Sequence, residues 1–280
     1  MTRNHTADVT CKEKDTAVFM HIGMINPTGA RSATKSMVRA LKGKYCNAYY
    51  TTSDGPLDSQ IRSLMIENGF IYKPASPFFK QLFENGTLSY EFPTLQQLWY
   101  HCKANRVRNV IYLQALGSHK AWSLRRQFTR RVLQGQVLYD GEIECKKLRG
   151  RWHCGPNPNE SSCWEHYSGN FWRASCEHVN TLDDPSLSST EFERAMHMGA
   201  GHGDSTVCSP KGPLGRYWAE AWITQGYVNR EDKLKLPLVG IQGVGDANAV
   251  MRIIHFLFFK HNVHLLYPID AIARLTGTTW

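Results

Sequence analysis

Three short stretches of the 280-residue chain carry residue types that do chemistry. In Arg216-Tyr-Trp-Ala-Glu-Ala-Trp-Ile223, Glu220 is the sole acid among the aromatic neighbours Tyr217, Trp218 and Trp222. Partial burial there would raise a carboxyl group into the range of a general base, although a surface glutamate fits the same spacing. Asp140-Gly-Glu142 sets two carboxylates two residues apart. Hard oxygens so placed hold magnesium or manganese, while Asp-Gly is equally an ordinary turn. The alternative bases are Asp140 and Asp204, the latter ending the run Gly199-Ala-Gly-His-Gly-Asp204, which reads as a loop able to close over a ligand. Ser168-Gly169-Asn170-Phe171-Trp172 sets small polar residues beside aromatic rings. Such a run can wall a sugar, stacking its ring and bonding its hydroxyls, or it can be plain core.

The elements that would position these residues follow from hydrophobic patterning. Residues 17–22 read as a buried strand ended by Gly23 and a Pro-Gly turn, and residues 32–42 as a helix with Met37, Val38 and Leu41 on one face. A second strand over 48–52, a helix over 58–68 and a short strand over 70–72 complete a βαβαβ unit. Residues 93–104 read as a helix opened by proline, 107–113 as the central strand, 122–133 as a helix with a basic face, and 136–139 as a further strand. A long loop over 149–165, helices over 190–198 and 214–226, and a strand–glycine turn–helix–strand tail from Leu236 follow. The expected architecture is a single α/β domain with a Rossmann-like central mixed sheet flanked by helices. Residues 1–16 are expected to be a flexible N-terminus, 17–235 the domain (halves 17–145 and 146–235), and 236–280 a C-terminal extension packed on it.

The formal net charge of +9 favours anionic partners such as nucleotide diphosphates, unless it serves only solubility. Residues 1–16 are polar with no apolar targeting core, and the longest apolar stretch, near Ile253–Phe259, is too short to span a bilayer. A soluble protein without a membrane partner is the expectation. None of the eight cysteines forms a Cys-x-x-Cys pair, so the reading is free thiols in a reducing, cytoplasmic compartment, with no zinc site.

Beyond these patterns lies a resemblance. Tyr90-Glu-Phe-Pro-Thr-Leu95, His166-Tyr-Ser-Gly-Asn-Phe-Trp172 and the Ala219-Glu-Ala-Trp-Ile223 helix resemble motifs of a glycosyltransferase-like family known from bacteria, protists and large algal viruses. The match covers residues 17–225, and Arg173 and the turn Gln114-Ala-Leu-Gly-Ser-His-Lys120 depart from the family pattern. The resemblance implies an A-type glycosyltransferase fold, a UDP-sugar donor and an oligosaccharide or glycoprotein acceptor. Its viral members that the chain looks most like are chlorovirus capsid-glycan xylosyltransferases, which implies UDP-xylose, a fucose of a viral N-glycan as acceptor, and the host cytoplasm. On this reading the donor is held by His21, Gly23, Thr51, Thr52, Tyr90, Glu91, Gln114, His119 and Lys120. Ser168, Gly169, Asn170, Phe171 and Trp172 face the acceptor, and Glu220 is the base of an inverting reaction. A manganese or magnesium ion would sit on Asp140 and Glu142; without it His119, Lys120 or Arg173 would meet the diphosphate.

Two other classes compete. Gly240-Ile-Gln-Gly-Val-Gly245 lies between a strand and a helix, like a dinucleotide fingerprint, but its glycine spacing is Gly-x-x-Gly-x-Gly and only 35 residues follow. A nucleic-acid-binding role rests only on the charge and on Arg125, Arg126, Arg130 and Arg131, with no recognised motif, so no nucleic acid partner is expected.

Overall fold

An unbroken apolar run such as Ala17-Val-Phe-Met belongs to a strand covered on both faces, because successive side chains alternate sides. The computed structural model bears this out, and it describes residues 11–53, 55–85, 89–115, 124–156, 158–159, 166–167, 169–186, 208–209, 212–213, 219–220, 222–224 and 239–240. Strand β1 (Glu13–Gly23) starts earlier than the apolar run, inside the stretch expected to be flexible. It sends Val18, Met20 and Ile22 into one core and Ala17 and Phe19 into another.

Helix α1 (Pro27–Leu41) begins four residues beyond β1. Asn26 caps it by accepting from the Gly29 amide, with proline in its first turn. Strand β2 (Tyr45–Ser53), helix α2 (Ser59–Glu67) and strand β3 (Ile71–Tyr72) follow as expected, α2 being capped by the Asp58 carboxylate. Helix α3 (Pro77–Glu84) is one the pattern did not mark. Helix α4 (Phe92–Lys103) and strand β4 (Asn109–Gln114) lie where proline and the apolar run put them.

The expected strand at 136–139 is corrected. Helix α5 (Leu124–Gly135) continues through a π-helical turn (Gln136–Asp140) into α6 (Gly141–Cys145). A short apolar run such as Val137-Leu138 suits a buried helix as well as a strand, and the core against α1 decides for helix. The expected loop at 149–165 contains β5 (His153–Gly155) and β6 (Pro158–Asn159). Then come β7 (His166–Tyr167), β8 (Trp172–Ser175), α7 (Cys176–Val179), β9 (Cys208–Ser209), β10 (Gly212–Pro213) and β11 (Val239–Gly240). The helix expected at 190–198 and most of the tail lie outside the described residues.

The protein is a mixed α/β structure built on one seven-stranded sheet, ordered β11-β5-β8-β4-β1-β2-β3. Strands β4, β1, β2 and β3 run parallel, whereas β8 runs antiparallel to both β4 and β5. One face carries α1, α2, α5 and α6; the other carries α3, α4, α7 and the segment 219–223. Among the described residues no helix is long and apolar enough to cross a membrane.

The free-thiol expectation is also corrected. Cys11 pairs with Cys46, Cys102 with Cys176, and Cys145 with Cys154. The sequence separations are 35, 74 and 9, with no regular spacing to mark the pairs.

Candidate functional site

Chain order sets the site. From β1 the chain moves to β2 on one side, and later places β4 on the other. The connections therefore diverge between β1 and β4, and a crevice opens beyond the carboxyl ends of these parallel strands. Those ends are Gly23, Ser53 and Gln114, since His21 is paired with Thr51 on one flank and Gln114 on the other.

His21 is buried there and spends both ring nitrogens on neighbours. Its Nδ1 lies 3.0 Å from Thr94 Oγ1 and its Nε2 lies 3.3 Å from Ser53 Oγ. Burial holds its pKa down, from 6.5 to about 3, so the ring is neutral. It ties β1 and β2 to α4 and has no nitrogen left for a nucleotide. Gln114 acts alike, its amide donating to the Gly169 carbonyl and tying β4 to the loop before β8. Thr51 and Thr52 are buried beside them.

Glu91 lies directly before α4, after Tyr90, whose φ of 44° is left-handed backbone rarely adopted by a large side chain. Glu220 stands beside the turn at 222–224, on the sheet face that α4 and α7 cover. That turn is fixed by Trp222 Nε1 donating to the Asp183 carbonyl at 3.0 Å and by His178 Nε2 donating to the Ile223 carbonyl at 2.7 Å. Glu220 Oε2 lies 3.9 Å from His166 Nε2, with only 15% of the glutamate side chain exposed. Tyr112 is fully buried; burial first, then the charges of Glu91 and Glu220, raise its hydroxyl well above its usual value. Glu91, Tyr112, His166 and Glu220 thus form one cluster of acid, phenol and imidazole.

Several expected residues do not join it. Phe171 and Trp172 are completely buried, and Trp172 stacks on Tyr112 at 5.1 Å with Trp222 on its other flank at 6.3 Å. The sugar wall is therefore corrected to core: Phe171 and Trp172 expose no surface, and Tyr112 and Trp222 pack on the Trp172 ring. Asn170 is buried too, its Oδ1 accepting from Trp172 Nε1 at 2.8 Å. Gly169 and Asn170 are both left-handed, with φ of 89° and 52°, which turns the chain sharply into β8.

Asp140 and Glu142 are the larger correction. They sit on the π turn and on α6, not at a strand end, and Glu142 accepts from Lys146 Nζ at 2.8 Å beside Glu13 at the opposite, amino end of the sheet. Burial alone would raise the Glu142 carboxyl, but hydrogen bonds with Lys146 and Glu13 and the charges of Lys146 and Arg173 together lower its pKa. Arg173 lies at that end as well, 3.9 Å from Glu13, too far from the crevice to meet a diphosphate. Among the described residues no group of three His, Cys, Asp or Glu side chains could hold a metal ion. His119, Lys120, Ser168, Asp204 and the glycines 243 and 245 lie outside the described residues.

Sequence reasoning missed Tyr112, Thr94, Ser53 and His166 as members of the site. His166 opens the quoted motif and Thr94 lies in the Tyr-Glu-Phe-Pro-Thr segment, so both were signalled by position. The role of Tyr112 was not, because only the fold brings two acids to it.

Residues 42–225 match a family described as a domain of unknown function (DUF8361). No curated protein matches the chain. Among solved structures, a cytidylyltransferase from Leptospira borgpetersenii serovar Hardjo-bovis (strain JB197) is similar at 10% identity and a TM-score of 0.39. That likeness covers 63% of this chain and 66% of that one, and is too loose to carry a function.

Proposed function

The chain belongs to DUF8361, a family whose description assigns no activity, and from its own residues we propose that it is an A-type, UDP-sugar-dependent glycosyltransferase. In this reading the nucleotide lies across the carboxyl ends of β1, β2 and β4, and the acceptor hydroxyl approaches Glu220. The observation that carries it is Glu220, largely buried and 3.9 Å from His166, in a fold whose strand connections diverge between β1 and β4. A carboxylate held largely out of water, with an imidazole at hand, is the equipment of a general base.

The step is a single displacement. Glu220 takes the acceptor hydroxyl proton as the new bond to the anomeric carbon forms and the bond to the diphosphate oxygen breaks. His166 holds the carboxylate in place. His21 and Gln114 keep the strand ends rigid, because their polar atoms are committed to Thr94, Ser53 and Gly169. Backbone around Gly23, rather than the His21 ring, is then the surface on which the base and ribose rest.

Xylose from UDP-xylose, passed to a fucose of a glycan, remains the donor and acceptor of choice from the motif resemblance. Three cystines sit better with an oxidising compartment than with a reducing cytoplasm. The test is thermal stabilisation by a panel of UDP- and GDP-sugars, with and without manganese, since a ligand that binds only the folded state raises the melting temperature. A panel without any shift would defeat the reading.

A further inference from the structure

On the layer away from the crevice, α1 and α5 bound a cleft of about 420 Å³. Its α1 wall is Ser32, Lys35, Ser36 and Arg39, residues spaced so that they share one helix face. Its opposite wall is Arg131, Gly135 and Tyr139. Three cations and three hydroxyls thus line the cleft, and no carboxylate does among the described residues.

Two further features converge on the same place. The α5 helix widens into the π turn at Gln136, next to Gly135, and the turn carries Tyr139 outward, 42% exposed, under the Lys44 ammonium at 3.3 Å from the ring centre. A π turn inside an α-helix is rare and is found most often at functional sites. Arg130, beside Arg131, is buried, and burial first and then the Arg131 charge pull its guanidinium down to about 10. Arg130 and Arg131 are thus two like charges adjacent on the helix that forms this wall.

We propose that this cleft is a binding site for a phosphoryl group of a small molecule, held by Lys35, Arg39 and Arg131 with hydroxyl donors from Ser32, Ser36 and Tyr139. The lining donates hydrogen bonds and offers positive charge from two sides, which matches a multiply charged, oxygen-rich anion better than a single carboxylate. The site is separate from the crevice: α1 and α5 cover one face of the sheet, and Glu220 lies with the helices on the other.

The experiment is calorimetric titration of the full chain with inorganic pyrophosphate at physiological ionic strength, where attraction between solvent-exposed charges is screened beyond about 8 Å. Saturable binding at one site is expected, weakened at least about tenfold, or some 1.4 kcal/mol, in Arg39→Gln/Arg131→Gln. A Lys80→Gln/Lys103→Gln variant removes the same charge elsewhere and keeps parental affinity. Ser36→Trp, which fills the cleft and leaves its charges, also abolishes binding. Titration with UDP separates the sources of the group: binding tighter than pyrophosphate and equally sensitive to Arg39 and Arg131 identifies a nucleotide ligand, and equal affinity identifies the free anion. Absence of saturable pyrophosphate binding, or parental affinity in the Arg39/Arg131 variant, overturns the proposal.

Discussion

His178 donates through Nε2 to the Ile223 carbonyl at 2.7 Å, and its ring lies 4.7 Å from that of His153, whose Nδ1 meets the Tyr167 hydroxyl at 2.8 Å. Through these contacts α7 and β5 hold both the turn beside Glu220 and the strand bearing His166. Two buried imidazoles therefore position a carboxylate they do not touch.

The first prediction concerns Glu220. Glu220→Gln keeps the shape and removes the basicity, so turnover falls by roughly 10²–10⁴-fold while donor affinity holds. Asp140→Asn and Glu142→Gln, at the other end of the sheet, keep both. Steady-state rates with donor titration decide, and near-parental turnover in the Glu220 variant removes it from the mechanism.

The buried histidines give the protein an acid dependence. Burial lowers His153 from 6.5 to about 3 and His178 from 6.5 to about 4. Below pH 6.5 the unfolded chain takes up protons that the folded one refuses, so stability falls as pH drops from 6.5 toward about 3 to 4 and is fully present above 6.5. Urea unfolding at pH 7 and pH 5 reads this out. His178→Gln flattens the difference between the two pH values; an unchanged difference means the imidazole is charged in the folded state.

Cystines should carry part of the stability. Cys102 and Cys176 close a stretch with a sequence separation of 74 and join α4 to α7. Replacing both with serine is expected to cost about 2–5 kcal/mol. Alkylation without reductant, followed by mass measurement, should leave Cys11, Cys46, Cys102, Cys145, Cys154 and Cys176 unmodified. Labelling of these six in the native protein would return the free-thiol reading.

Trp172 tests core against wall. With no exposed surface and Tyr112 stacked on it, Trp172→Ala is expected to lower stability by about 3–5 kcal/mol. The folded fraction should keep its donor affinity. A variant that melts like the parent yet fails to use substrate would restore the ring to the site.

Much of the first half of the fold was legible. The run 17–22 and the proline at 93 are local signals, and local backbone chemistry is written in neighbouring residues; Pro27, read as part of a turn before a helix at 32, instead opens α1. The same local reading fails at Val137-Leu138, where a helix and a strand bury equal amounts and only the packing against α1 separates them. The reversal of β8, the Cys102–Cys176 and Cys11–Cys46 pairs, and the meeting of Glu91, Tyr112, His166 and Glu220 join residues tens of positions apart. Glu220 was singled out by its aromatic neighbours in sequence, but its imidazole partner comes from tertiary structure. Trp172 shows the converse: its neighbours in sequence suggested an open ring face, and packing against Tyr112 and Trp222 closed it. Sequence fixes what each residue is able to do; which residues meet is a property of the sheet order, because contacts across strands depend on topology and not on spacing along the chain.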